Sequence, residues 1–209
     1  MKPKSLLLTI PEYDRIFKVI YSVLDGRANT PHSCMFFSTA GSLILNKYHK
    51  IPAKPVAGAF LLQTSQDEAI VIGGKNGNEI FSSENEFHCW IQTEHHIIDF
   101  MSPIFKESIK NYPAKTPIPR KMFQRLLNDE SPLIDEMSKA GDFYAIANID
   151  MTENLVEKVT SKPSAADLLH ACDTWYKKYP KKVADISLLN DLGQLHKLVL
   201  KGPAIVGAW

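Results

Sequence analysis

Apolar residues recur every three or four positions in two stretches near the start of the chain, which is the spacing of a buried helix face. The first stretch predicts a helix over residues 11–24, ended by Asp25-Gly26 because glycine readily adopts a left-handed backbone. The second predicts a helix over residues 34–48 with a broad apolar face, typical of a buried central helix. Cys34 therefore lies in the first turn of a predicted core helix.

Short apolar runs between turn-forming residues predict strands. The run over residues 56–62 shows little alternation, which predicts burial on both of its faces. The predicted strands cover residues 56–62, 69–72, 87–92, 97–100 and 143–149. The polar segment 75–86 and the proline-rich segment 102–119 are predicted loops.

The second half of the chain adds further helical patterns. Residues 163–179 and 186–200 predict helices, and residues 121–127 and 132–139 predict two short ones. Helices and strands together predict an α+β fold. We expect a single domain over residues 1–209, with a core over about 10–150 and a C-terminal helical extension over about 160–202.

Composition narrows the class of protein. With 209 residues, a net charge of +1 and no basic cluster, the chain carries no signal for nucleic acid or a membrane surface. Its apolar runs are shorter than the roughly 20 residues that span a bilayer. Residues 1–10 resemble a signal peptide only superficially and are expected to begin the mature fold. Three cysteines without paired spacing argue against a disulfide framework and favour a reducing cytoplasm.

The two strands around residues 93–96 predict a tight hairpin whose register carries chemical meaning. If Glu94 and His95 form a two-residue turn, His88 opposes residue 101 and Asp99 is its diagonal neighbour. If the register slips by two, Asp99 lies nearly opposite His88. Paired numbers sum to an odd total in both registers, so His88 and Asp99 share one face of the sheet in either case.

Cys34, His88 and Asp99 have the residue types that a cysteine nucleophile requires. A helix N-terminus favours the thiolate of a cysteine in its first turn. A histidine on a neighbouring strand can act as base, and a carboxylate can fix its tautomer and stabilise its cation. The three residues therefore predict a nucleophile, a base and an orienting group.

The stretch Phe87-His88-Cys89-Trp90-Ile91-Gln92-Thr93, followed by Ile97-Ile98-Asp99, resembles a known strand pair. Transglutaminase-like and arylamine N-acetyltransferase-like proteins carry "H-x-W-(V/I)-x … (V/I)-(V/I)-D", and they belong to the papain-like cysteine hydrolase superfamily. The resemblance covers about residues 27–102 and points to a bacterial family within that superfamily. Residues 103–209 resemble no family that we can name.

The resemblance implies a papain-like fold, with a cysteine-bearing helix packed on an antiparallel sheet. Cys34 would be the nucleophile, His88 the base and Asp99 the orienter. The implied reaction is hydrolysis of an amide, or transfer of an acyl group, on a peptide or small acyl substrate, without a cofactor. Those families often place glycine or tryptophan beside the cysteine, whereas Ser33 and Met35 flank it here, so the acceptor stays open.

Three further residues are candidates for the site. Papain-like enzymes place an amide upstream of the cysteine, which makes Asn29 a candidate oxyanion donor, although it also fits an ordinary turn. His32 could tune the thiolate or contact substrate, or be a loop histidine. Trp90 shares a face with His88 and could flank the site, or simply pack. Cys89, on the opposite face, and Cys172, on a late helix, are expected to be core residues.

Two other functions remain open. The same fold could serve as a catalytically inactive binding module. A metal-dependent enzyme could use His88, His95 and His96, but adjacent histidines point to opposite sides of a strand and no second cluster has ligand spacing, so no metal site is predicted. The sequence does not indicate the oligomeric state.

Overall fold

The structure, a computed structural model, describes residues 5–109, 117–177, 186–190 and 192–209. It has a mixed α+β architecture in which helices cover an antiparallel sheet. The α-helices are α1 (Ile10–Leu24), α2 (Cys34–Ile44), α3 (Phe105–Ser108), α4 (Ile149–Thr160) and α5 (Pro163–Trp175). The strands are β1 (Lys54–Ser65), β2 (Glu68–Ile72), β3 (Gly74–Asn76), β4 (Glu79–Phe81), β5 (His88–Gln92), β6 (His96–Asp99), β7 (Phe123–Leu126), β8 (Phe143–Ala147), β9 (Ile186–Leu189) and β10 (Leu195–Leu198).

The first helix starts at a capping box. The Thr9 hydroxyl accepts a hydrogen bond from the Glu12 backbone N–H, and Glu12 Oε2 accepts one from the Thr9 backbone N–H at 2.9 Å. Two of the N–H groups that open the helix are thereby satisfied. The apolar face of α1, which includes Ile16 and Phe17, is buried as its spacing predicts.

Helix α2 is the central helix that the sequence predicts, and nine of its eleven residues are buried. It approaches the sheet most closely at Gly41. A Cβ atom there would lie 2.6 Å from both Ile91 Cδ1 and Phe100 Cδ2, so only glycine allows this close packing. Beyond Ile44 the helix continues as a π-helical turn over Leu45–His49, which brings its end close to the predicted residue 48.

Strand β1 is the centre of the sheet because both of its edges are paired. Gly58 pairs with His88 of β5 and with Ala147 of β8, which therefore lie on opposite edges of β1. β5 and β2 share one edge of β1: β5 pairs with its first half and β2 with its second half. β6 then pairs with β5, and β7 with β6. Burial over residues 56–62 confirms the prediction of a strand covered on both faces.

Two predicted helices are wrong. Residues 123–126 form β7, because pairing with the edge of β6 outweighs the local helical spacing and buries both Phe123 and Gln124. Residues 186–200 contain β9 and β10 instead of a helix. In the turn between these strands, Asn190 Oδ1 accepts hydrogen bonds from the backbone N–H groups of Leu192 and Gln194. Gly193, at φ 73°, completes this turn. Among the described residues, the predicted C-terminal helical extension is therefore wrong where β9 and β10 form.

Smaller differences concern the connecting segments. Residues 75–86 are not only loop but contain the short hairpin of β3 and β4. The predicted helix at 132–139 is reduced to a 3-10 turn over Ile134–Glu136. The predicted loop at 102–119 contains a 3-10 turn and α3, while its residues 110–116 lie outside the described residues, as do residues 178–179 of the predicted helix 163–179. No helix in the described part of the chain has the length and apolar character needed to cross a membrane.

Candidate active site

The hairpin of β5 and β6 adopts the first of the two predicted registers. Ile91 pairs with Ile98, and the Thr93 backbone N–H donates to the His96 carbonyl at 2.9 Å. His88 and Asp99 consequently point to the same face as diagonal neighbours. His88 Nε2 lies 2.5 Å from Asp99 Oδ2, and each side chain is only 1% exposed. The structure thus brings the predicted base and orienter together.

Additional hydrogen bonds hold the Asp99 carboxylate in place. Its Oδ1 accepts from the Met101 backbone N–H at 2.7 Å, while its backbone carbonyl accepts from the Tyr13 hydroxyl. Burial and the charge of Asp99 both raise the pKa of Tyr13, so this hydroxyl remains a donor. Because Asp99 occupies Nε2 of His88, only Nδ1 of that imidazole is left for a second partner.

Cys34, the first residue of α2, lies beside His88 and Cys89 at the start of β5. A hydrogen bond from Cys89 lowers the pKa of Cys34, as do the hydrogen bond and charge of His88. These effects outweigh burial and the charge of Asp99, and the pKa falls to about 5. Burial lowers the pKa of His88, but the charge and hydrogen bond of Asp99, with a smaller effect of Cys34, raise it to about 10. Near neutral pH the site therefore holds a thiolate and an imidazolium.

Aromatic rings enclose the imidazole. The centroid of the His88 ring lies 5.6 Å from that of Phe60 and 5.4 Å from that of Phe105, which meets it edge-on. Gly58 of β1 pairs with His88 of β5. A Cβ atom at Gly58 would come within 1.9 Å of the Ile146 carbonyl oxygen, so the backbone is closely packed beside the imidazole. Aromatic rings around a buried imidazole strengthen the electrostatic attraction between His88 and its partners, because water screens that attraction less.

Trp90 shares the face of His88, as predicted, and is buried rather than surface-exposed. The observed register places it opposite Asp99 on the neighbouring strand. Its ring centroid lies 6.0 Å from that of Phe60. The indole N–H of Trp90 is buried and has no hydrogen-bond partner among the residues that the structure describes. The contacts fit a packing role beside the site.

Asn29 and His32 have exposed side chains in the loop before α2, and no hydrogen bond within the described ranges joins either one to Cys34. The Asn29 backbone carbonyl instead accepts from the His32 N–H at 2.8 Å and from the Ser33 hydroxyl at 2.9 Å. Asn29 also lines a cavity of about 200 Å³, together with Pro31 and Ile104. This cavity borders the loop that leads into Cys34.

The histidines of the alternative metal site are not brought together. His88 is bound to Asp99, His96 is buried in β6, and the exposed His95 lies 3.6 Å from Glu94. Within the described ranges, no group of three His, Cys, Asp or Glu side chains is arranged to hold a metal ion. Cys172 is fully buried, and burial raises its pKa well above the ordinary range, so its thiol stays protonated.

Three contributors to this site were not predicted from the sequence. Cys89 was expected only in the core, yet it lowers the pKa of Cys34 and donates to Sδ of the adjacent Met35. Tyr13 and Phe105 were assigned to a helix face and a loop, although they support Asp99 and His88. Gly41 of α2 packs against Ile91, which lies on the same face of β5 as Cys89, and residue spacing alone does not specify this packing.

Comparisons with known proteins do not name a reaction. The family model described as "Protein of unknown function (DUF2026)" matches residues 9–209. A solved structure described as the crystal structure of genomics target APC5867 is similar over 100% of both chains, with 26% sequence identity and a TM-score of 0.85. No curated protein matches the chain.

Proposed function

Because the chain belongs to DUF2026, a family whose description states no activity, we propose its function from the site itself: a thiol-dependent hydrolase or acyltransferase. The observation that carries the proposal is the buried pair of His88 and Asp99 beside Cys34, at the N-terminus of α2. A nucleophile, a base and an orienting carboxylate in contact are the parts that covalent acyl chemistry needs.

We propose that the Cys34 thiolate attacks the carbonyl carbon of an amide or acyl substrate. The first N–H groups of an α-helix have no intrahelical acceptor, so those of α2 can stabilise the oxyanion that forms. The His88 imidazolium gives its Nδ1 proton to the leaving group, and an acyl-enzyme remains on Cys34. Neutral His88 then removes a proton from water or an amine, which attacks the acyl group and frees the thiolate.

The proposal extends to the fold. A cysteine opening a buried helix, with His88 and Asp99 on two adjacent antiparallel strands, supports a papain-like arrangement. The transglutaminase-like branch is supported by the strand-pair motif alone. The substrate we propose is a peptide or a small acyl or amide compound. All three cysteines are free thiols, which fits a reducing compartment such as the cytoplasm.

Alkylation tests the activated cysteine directly. We expect sub-stoichiometric iodoacetamide at neutral pH to label Cys34 ahead of Cys89 and Cys172, as read by peptide mass spectrometry. His88→Ala should remove this preference, whereas His95→Ala, a change at an exposed histidine of the same hairpin, should preserve it. Equal, slow labelling of all three cysteines in the folded wild type would contradict the proposal.

Acyl transfer separates an enzyme from an inactive binding module. Incubation with p-nitrophenyl acetate, an activated ester, should leave an acetyl group on Cys34. Attack by water, or by an added amine, should then remove this acetyl group over time. His88→Ala should slow both steps, because the same imidazole serves as acid and then as base. Selective alkylation without any acetyl adduct would favour the binding module on the same fold.

A further inference from the structure

Cys34 has a second cysteine as its neighbour. Cys89, at the start of β5, donates its thiol proton to Sδ of Met35 at 3.4 Å, and Met35 follows Cys34 in the first turn of α2. Cys34 and Cys89 also act on each other's pKa, so the three sulfur atoms are grouped where α2 meets β5. Both cysteines are free, and neither is bonded to Cys172.

The proposed acyl chemistry assigns no bond-making step to Cys89. A redox-sensitive cysteine is a thiolate with some solvent access, and a second thiol poised beside it can trap its oxidised form. Cys34 is 8% exposed, whereas Cys89 is 1% exposed and protonated, so an oxidant meets Cys34 first. This division is that of an attacked thiolate and a resolving thiol.

We propose that Cys34 and Cys89 are a peroxide-responsive pair, in which a reversible disulfide between them switches off the nucleophile. The inference rests on the proposed function of Cys34 for its biological meaning. The chemistry of the pair itself needs only the two neighbouring thiols and a peroxide.

The reaction has two steps. The Cys34 thiolate attacks one oxygen of hydrogen peroxide, an S–O bond forms, the O–O bond breaks, and the departing hydroxide takes the proton of the His88 imidazolium as water. The Cys89 sulfur then attacks the sulfenic sulfur of Cys34, the S–O bond breaks, and the departing hydroxide leaves as water with the Cys89 proton. Two electrons pass from the thiols to the peroxide, and a dithiol reductant reverses the change.

The disulfide would also protect the site. A sulfenic acid left alone can be oxidised further to sulfinic and sulfonic acids, which thiols do not reverse. Cys89 competes with that loss because its thiol lies 3.4 Å from Sδ of Met35, the residue that follows Cys34. Cys172 lies in α5 and is not among the groups that act on the pKa of Cys34, so it is not placed to replace Cys89.

Tryptic peptides make the test unambiguous, because Cys34 and Cys89 fall in separate peptides, residues 28–47 and 76–106. The reduced full-length protein is treated with hydrogen peroxide, free thiols are blocked, and the digest is analysed by mass spectrometry. We expect a linked pair of these peptides that dithiothreitol separates. Cys172→Ser should give the same linked pair.

Cys89→Ser keeps a hydrogen-bond donor next to Cys34 but removes the resolving sulfur. We expect this variant to lose the linked peptides, and its Cys34 sulfenic acid to be trapped by dimedone in greater yield than in the wild type. A linked pair involving Cys172, or conversion of wild-type Cys34 to sulfinic acid with Cys89 still free, would overturn the inference.

The two proposals fail in different ways. A disulfide without acetylation of Cys34 by p-nitrophenyl acetate in the reduced protein supports the redox pair and removes the acyl chemistry. Acetylation of Cys34 without any linked peptide after peroxide treatment supports the acyl chemistry and rules out the redox pair. Where both hold, peroxide should abolish acetylation, and dithiothreitol should restore it in the wild type.

Discussion

The ion pair of Cys34 and His88 predicts an unusual dependence of stability on pH. We compare the wild type with a double variant, His88→Gln and Cys34→Ala, which removes both titrating groups. Glutamine can still donate a hydrogen bond to the buried Asp99 carboxylate. Subtracting the free energies of unfolding of the two proteins cancels the titrating residues that do not contact the pair, and leaves the contribution of the pair together with its contacts to Asp99 and Cys89.

The size of the pH effect on the free energy of unfolding follows from the pKa values of the pair in the folded and unfolded states. The pKa of Cys34 falls from 9.0 to about 5 on folding, so its contribution is lost as the pH falls through the folded value. The pKa of His88 rises from 6.5 to about 10, so its contribution is lost as the pH rises through that value. Between pH 6.5 and 9 the pair binds one proton in both the folded and the unfolded protein. The difference in free energy of unfolding between wild type and variant should therefore not change with pH in this range.

Outside that window the proton counts differ. From pH 6.5 down to 5 the unfolded pair binds one more proton than the folded pair, so the wild type should lose about 2 kcal/mol relative to the variant, at about 1.4 kcal/mol per pH unit. From pH 9 up to 10 the folded pair retains a proton that the unfolded pair has released. The wild type should then lose about 1.4 kcal/mol relative to the variant.

Urea unfolding at several pH values, in the presence of a thiol reductant, measures these differences. The slope of free energy against urea should agree between the two proteins, so that only the midpoints differ. A difference that stays constant from pH 5 to 10 would refute the reasoning. It would mean that the thiol and the imidazole keep their ordinary pKa values and bind protons in the folded state as they do in the unfolded chain.

Three other changes have defined outcomes. Asp99→Asn removes the charge that raises the pKa of His88, so the His88 imidazolium, followed by NMR of its ring protons, should lose its proton at lower pH than in the wild type. Gly41→Ala places a Cβ atom against the sheet and should cost about 1–3 kcal/mol of stability in urea unfolding, with no change expected if α2 can shift outward. Gln124→Ala removes the buried amide oxygen that accepts from the Leu8 backbone N–H at 3.0 Å, and thermal unfolding should show a loss of about 1–3 kcal/mol.

The hairpin with His88 and Asp99 was predictable because its geometry depends on parity alone. Any odd-sum register places both residues on one face, and both registers considered had that property. The first helix was similarly predictable, since its apolar spacing, proline and terminal glycine all agree. Where local signals are consistent with one another, tertiary contacts have little to overturn.

The segments predicted wrongly are those whose structure depends on distant partners or on a single turn. β7 forms because the edge of β6 needs a partner, and that information lies some 25 residues away in the chain. In the hairpin of β9 and β10, leucines happen to recur at helical spacing while Asn190 and Gly193 form a turn between them. The contact of Cys89 with Cys34 likewise depends on how α2 packs on the sheet, which residue spacing does not specify.

Burial explains how this site can be both ionised and selective. His88 and Asp99 are enclosed, so their attraction is weakly screened and keeps the thiolate charged. Cys34 is 8% exposed and His88 only 1%, so we expect a substrate to approach from the N-terminal side of α2 rather than over the imidazole. On that side the cavity beside Asn29 and Pro31 borders the loop leading to Cys34. For the proposed acyl chemistry we therefore expect faster acetylation of Cys34 by esters whose carbonyl ends a narrow group than by esters with bulk next to the carbonyl.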